Sequence, residues 1–254
     1  RSAFIKFEGH YHGWMNNVLL SYHPDLAEAG PLESPNVLAS CGGQPEEEFA
    51  HTRVLPWNRL DLLERELAQG DIAAVIMEPL NANSGSIEPA DGFLQDAVNL
   101  CARHGAVSIF DEVITGFRLA LGGAREYYDV IPDLSVYAKA LAGGFSLAAI
   151  AGNRNLFDPL RDGSTTHTGT YNGATVNLAA GLATLDILSE SPGLYDRMHV
   201  HGQAIRDTFT KEASGHGITL STSGAGTVFN VHPGSGTAPS DYRGYAGVDL
   251  DAYT

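Results

Sequence analysis

Three ionisable residues stand where short apolar runs stop. Ile72-Ala-Ala-Val-Ile-Met77 runs into Glu78, Val107-Ser-Ile-Phe110 runs into Asp111 and Glu112, and Leu134-Ser-Val-Tyr137 reaches Lys139 after one alanine. An amine set beside apolar residues is partly desolvated, which lowers its pKa and makes it nucleophilic toward carbonyl carbons. Lys139 is followed by Ala140-Leu-Ala-Gly-Gly144, small residues that let a ligand approach the backbone closely. Asp111, at the end of the preceding run, adds a carboxylate that converges on the same crevice. A Schiff-base lysine with an aspartate for a pyridinium nitrogen is the pair that pyridoxal phosphate needs. Taken singly the residues have plainer readings: Lys139 as a surface lysine on a loop, Asp111-Glu112 as a solvated strand end or a divalent-metal site.

The runs that carry these residues read as strands. Ala3 to Phe7 and Ala148 to Ala151 add two more, and helices are predicted over Arg59 to Ala68, closed by Gly70, and over Gly92 to His104, stopped by Gly105. The alternation predicts an α/β fold with an open, mostly parallel central sheet flanked by helices. Such sheets bind ligands beyond the carboxyl ends of their strands, where Glu78, Asp111 and Lys139 fall. Ala174 to Leu188 and Leu194 to Ala213 read as helices separated by Pro192-Gly193, and Gly217 to Val231 as short strands with glycine-rich turns. The change of character predicts a large domain over 1–190 and, over 191–254, an interdomain helix with the start of a small α+β domain.

The chain has 254 residues, with 15 Lys+Arg against 30 Asp+Glu and a net charge of −15. So acidic a surface argues against nucleic acid and against anionic lipid. The longest apolar runs are too short to cross a bilayer. Cys41 and Cys101 form no CxxC pair and no disulfide framework, which fits a reducing cytoplasm. There is no GxGxxG after a strand and no GxxxxGK, and Ser146 lacks a GxSxG frame. His10 with His12, and His199 with His201, lack cysteine or carboxylate partners at zinc spacing, so no metal site is expected. Trp14 and Trp57 read as core or interface residues.

Phe110-Asp-Glu-Val-Ile-Thr-Gly-Phe-Arg118 followed by Lys139-Ala-Leu-Ala-Gly-Gly144 resembles the signature of class III aminotransferases, pyridoxal phosphate enzymes of fold type I. Lys6-Phe-Glu-Gly-His-Tyr-His-Gly13, Met77-Glu-Pro-Leu80 and His167-Thr-Gly-Thr-Tyr-Asn-Gly173 extend the similarity in order along the chain. The run from Asp111 to Arg118 is most similar to the glutamate-1-semialdehyde aminomutase branch. Ala82 and the Ala142-Gly-Gly-Phe-Ser146 stretch depart from that branch, and the β-amino-acid transaminases share a stretch similar to His167 to Asn172.

The resemblance implies a role for each matching position. Lys139 would hold the cofactor and shuttle a proton, Asp111 would pair with the pyridine nitrogen, Val113 would pack on one ring face and Tyr11 on the other. Glu78 and Asn83 would stand near the cofactor's phenolic edge and the substrate. Gly169 and Thr170 would reach the phosphate in a neighbouring subunit, so a homodimer with shared sites is implied. The reaction would be amino transfer on a small amino acid or amine, as a glutamate-1-semialdehyde 2,1-aminomutase or as a β- or ω-amino-acid transaminase. A non-catalytic binding protein on the same fold is the alternative from another class. Arg118 is a candidate for a substrate carboxylate or for a structural ion pair. The resemblance further implies a central piece of a longer enzyme, with part of the phosphate site lying elsewhere.

Overall fold

The computed structural model describes residues 1–248. Six short strands form: β1 (Ala3–Phe7), β2 (Thr52–Leu55), β3 (Ile72–Met77), β4 (Val107–Asp111), β5 (Leu134–Tyr137) and β6 (Ala149–Gly152). They make one sheet in the order β2-β1-β3-β4-β5-β6. Every pairing from β2 to β5 is parallel, and β6 runs antiparallel to β5. The sheet is therefore the mostly parallel one expected. β6 lies one residue later than the reading placed it, and β2 is a strand the apolar-run reading passed over.

Two amphipathic helices, α1 (Leu60–Leu67) and α2 (Phe93–His104), bury Leu62, Leu63, Leu67, Phe93, Leu94, Ala97, Leu100 and Cys101. These pack with Ile5, Phe7, Val75, Met77 and Phe110 of the sheet to form the main core. α2 stops at Gly105, whose φ of 65° closes the helix with N–H bonds back to its last turn. Trp57 belongs to this core, edge-on to Phe7 and Phe93 at 5.0 and 4.6 Å, whereas Trp14 is exposed.

Asp111 and Glu112 are successive residues, and successive side chains of an extended chain face opposite ways. Glu112 turns inward and is fully buried. Its carboxylate accepts from Thr115 Oγ1 at 3.0 Å, from the Arg125 N–H at 3.1 Å and from the Ala124 N–H, so it caps the short helix α3 (Ala124–Tyr127). Asp111 is left facing the carboxyl edge of the sheet. Neither carboxylate is a solvated strand end.

Beyond β6 come α4 (Asp158–Arg161), α5 (Thr175–Ser189) and α6 (Leu194–Gly215), then the antiparallel hairpin of β7 (Leu220–Ala225) and β8 (Val228–Pro233), and α7 (Tyr242–Ala246). Residues 190 and 191 fall in the turn between α5 and α6. Late residues grip early ones. Arg243 forks onto Glu8 with two bonds of 3.0 Å. Tyr195 and His199 of α6 bond the carbonyls of Phe117 and Leu119 at 3.2 and 2.8 Å. Among the described residues no helix is long and apolar enough to cross a membrane.

Gly123 lies against the Glu112 carboxylate with a φ of 75° and a ψ of −152°, a region closed to other residues. Gly123→Ala would strain the backbone and push on the cap, at a cost of about 1–3 kcal/mol. Urea unfolding of the variant should show a midpoint shifted down without a change of slope.

Candidate active site

The carboxyl ends of β3, β4 and β5 are neighbours in the sheet, so Glu78, Asp111 and Lys139 meet as the strand ends require. A cavity of ≈ 210 Å³ lies there, lined by Tyr11, His12, Gly13, Glu78, Asn83, Asp111, Val113, Ile114, Val136 and Lys139. Six of the eight residues singled out from the sequence therefore share one wall: Lys139, Asp111, Val113, Tyr11, Glu78 and Asn83. Gly169 and Thr170 do not. They are exposed in the turn ahead of α5, outside this cavity.

Lys139 has a φ of 40°, an uncommon conformation for a non-glycine residue, in a turn whose following residues include Gly143 and Gly144, also at positive φ. The turn aims the lysine between this cavity and a second cleft of ≈ 510 Å³ lined by Gly144, Phe145, Ser146, Leu147 and Ala148. Its amine is held below the usual lysine range, first by partial burial and then by the Arg118 charge, against the opposing pull of Glu78 and Asp111. Arg118 donates to the Ile114 carbonyl at 2.6 Å, and none of the ion pairs among the described residues involves it. The structural ion pair considered for it is not formed among the described residues.

Asp111 is fixed from two sides. Its Oδ1 accepts the Val113 N–H at 3.1 Å, and its Oδ2 stands 2.8 Å from His12 Nδ1. A carboxylate only accepts, so the imidazole donates from Nδ1. Burial is the first cause that lowers the His12 pKa, and Asp111 opposes it. His12 is the residue that the sequence reading passed over, having weighed it only as a metal ligand with His10. The available signal was alternation: His10 and His12 are two apart on an extended segment and face one side. His10 Nδ1 accepts the Glu78 N–H at 3.0 Å.

Glu78 is buried, and its carboxylate accepts from the Tyr11 N–H at 2.7 Å, Asn83 Nδ2 at 3.0 Å and the Ala82 N–H at 3.1 Å. Burial pushes its pKa up to about 7 despite these donors, and the Asp111 charge adds to the rise. Lys6, wholly buried behind the same wall, donates to the Leu20 carbonyl, and desolvation brings its pKa down to about 7. The arrangement offers a nucleophilic amine, a fixed carboxylate with a histidine behind it, and a carboxyl group that titrates near neutrality.

A family profile described as aminotransferase class-III matches residues 1–235. The chain belongs to the class III aminotransferases. That family is one of pyridoxal-phosphate-dependent enzymes, and the fold is its fold-type-I sheet. A glutamate-1-semialdehyde 2,1-aminomutase from Methanothrix thermoacetophila is 35% identical over 254 residues, which is 100% of this chain and 57% of that protein. The chain thus spans little more than half the length of that curated relative. Among solved structures, an omega-transaminase from Sphaerobacter thermophilus superposes with a TM-score of 0.90 at 30% identity, over 99% of this chain and 57% of that one. A transaminase with PLP bound gives a TM-score of 0.79 at 27% identity, over 94% and 57% of the two chains.

The Glu78 carboxyl should hold its proton below about pH 7 and ionise above it. An unfolded chain gives that proton up near 4.5, so between 4.5 and about 7 the native state binds more protons than the unfolded one and stability falls as pH rises. Glu78→Gln should remove this slope in urea unfolding followed across that window. A slope unchanged by the substitution would assign the titration elsewhere.

Proposed function

We propose that this chain carries the lysine-bearing part of an enzyme that transfers amino groups with pyridoxal phosphate held at Lys139. The observation that carries the reading is the meeting of Lys139 and Asp111 in one cavity, at the ends of adjacent strands. The donor set fits the cofactor: a partly desolvated amine for its carbonyl carbon, and a braced carboxylate for its ring nitrogen. Val113 and Tyr11 supply walls for the ring, and Glu78 with Asn83 supplies polar groups for its oxygen-bearing edge. When bound, pyridoxal phosphate supplies an electron-withdrawing ring that acidifies the carbon bearing the amino group.

The chain's own residues then divide the work. Lys139, displaced by the substrate amine, is free to take the proton from the substrate carbon and return it one position along. Its depressed pKa suits it to both halves of that task. His12, buried, resists a second proton and so reaches Asp111 as a neutral Nδ1–H donor, leaving the carboxylate's charge for the ring nitrogen. Gly169 and Thr170 belong to the proposal as contacts to a phosphate across a homodimer, which their exposure permits. The division into a cofactor-binding 1–190 and a following 191–254 belongs to it as well. The two free cysteines, Cys41 and Cys101, support a cytoplasmic setting.

Two specific activities have support. The 35% identity to a glutamate-1-semialdehyde 2,1-aminomutase favours transfer between adjacent carbons of one skeleton. The TM-score of 0.90 to an omega-transaminase favours transfer between separate donor and acceptor. The full-length protein should be tested with glutamate-1-semialdehyde, with β-amino acids and with ω-amines paired with a keto acid. Product formation without an added acceptor selects the aminomutase.

Borohydride treatment of the loaded protein should fix the cofactor on the peptide containing Lys139, read by mass spectrometry. A lysine that stays unmodified would leave a non-catalytic binding protein as the reading. Lys139→Ala and Asp111→Asn should each slow proton removal by roughly 10²–10⁴-fold, measured by exchange of the substrate α-proton. Asp111→Asn should leave cofactor binding largely intact.

A further inference from the structure

Two buried imidazoles beside the site carry complementary groups that no atom of the described residues answers. His10 Nδ1 accepts the Glu78 N–H, so the His10 proton sits on Nε2, as a donor. His12 Nδ1 donates to Asp111, so the His12 Nε2 is a bare acceptor. Both Nε2 atoms are buried without a hydrogen-bond partner among the described residues. The rings are adjacent, with centroids 6.0 Å apart. A buried donor and a buried acceptor on neighbouring rings, both unanswered, are groups that one water can join.

We propose that His10 is a positioning residue: through one bridging water its Nε2–H occupies the His12 Nε2 lone pair, and so keeps His12 a neutral donor to Asp111. The relay runs from the Glu78 backbone, through both rings, to the aspartate. It couples the ends of β3 and β4 without using a charged group between them. A second proton on His12 would turn its bond to Asp111 into an ion pair and spend the aspartate's charge there. The value of that charge to a pyridine nitrogen rests on the function proposed above, whereas the relay itself does not.

The groups that face His12 come from several elements. Asp111 of β4 draws a proton toward it, Lys6 of β1 and burial oppose one, and Glu78 and Lys139 line the same cavity from the ends of β3 and β5. His10 also packs on Phe7 and Trp57, with centroids at 5.4 and 4.7 Å, so a purely packing role is the rival explanation. Phenylalanine at position 10 keeps the packing and loses the relay. Glutamine keeps an N–H donor.

The test is nuclear magnetic resonance of imidazole-¹⁵N histidines in the full-length protein, with and without cofactor. His12 should show its proton on Nδ1 and His10 on Nε2, with magnetisation transferred from a long-lived water to the His10 Nε2–H. In His10→Phe the His12 titration midpoint should rise by roughly one pH unit, a tenfold gain in proton affinity, and in His10→Gln it should stay near that of the unaltered protein. Reversed protonation of either ring, no water contact, or a His12 midpoint unmoved in His10→Phe would overturn the relay. The first two readings need no variant, so a misfolded substitution does not remove the test. A protein with these protonation states that forms no borohydride adduct at Lys139 would refute the function and keep the relay; the converse result would refute the relay alone.

Discussion

Parallel strands deliver their carboxyl ends to one edge of a sheet, and neighbouring strands are held about 4.8 Å apart by their hydrogen bonds. Three consecutive strand ends therefore lie within roughly 10 Å of each other before any side chain is considered. Glu78, Asp111 and Lys139 occupy such ends on β3, β4 and β5, and the cavity between them follows from the pairing order. The reversal of β6 contributes too. It turns the chain back within a short loop after Lys139, and so puts the segment from Gly144 to Ala148 on the other side of the amine.

Burying so many polar groups is costly unless each is answered. Glu78 has three donors, two of them backbone N–H groups, and still holds its proton far more tightly than an exposed carboxyl would. Desolvation outweighs the hydrogen bonds there. The same contest at Lys139 has a milder outcome because the amine is only partly buried. A site built this way carries groups whose charge states respond to the arrival of a ligand, since a ligand changes their solvation first.

Much of this was legible in the residues. A continuous apolar run marked β3 and short apolar runs marked β4 and β5, and the polar residues that ended them marked the site. What escaped notice has physical reasons. Thr52-Arg-Val-Leu55 is a strand because β1 offers it a partner, not because its residues demand one. The direction of β6 lies in the connection rather than in Ala149–Gly152: eleven residues with two glycines are too few for the helical crossover that a parallel return requires. The contact of His12 with Asp111 joins residues 99 apart in sequence, which local pattern does not report. Glu112 escaped as a helix cap because its partners at 124 and 125 become a helix start only after the chain has folded back.

The segment after Asp111 is held by its carbonyls. Tyr195 and His199 reach the backbone oxygens of Phe117 and Leu119, Thr227 reaches that of Arg118, and Arg118 itself bonds the oxygen of Ile114. A grip on peptide oxygens is indifferent to which side chains the gripped residues carry. This contact therefore constrains the side chains of the distant donors, while those of Phe117 and Leu119 are left to answer to their own packing alone.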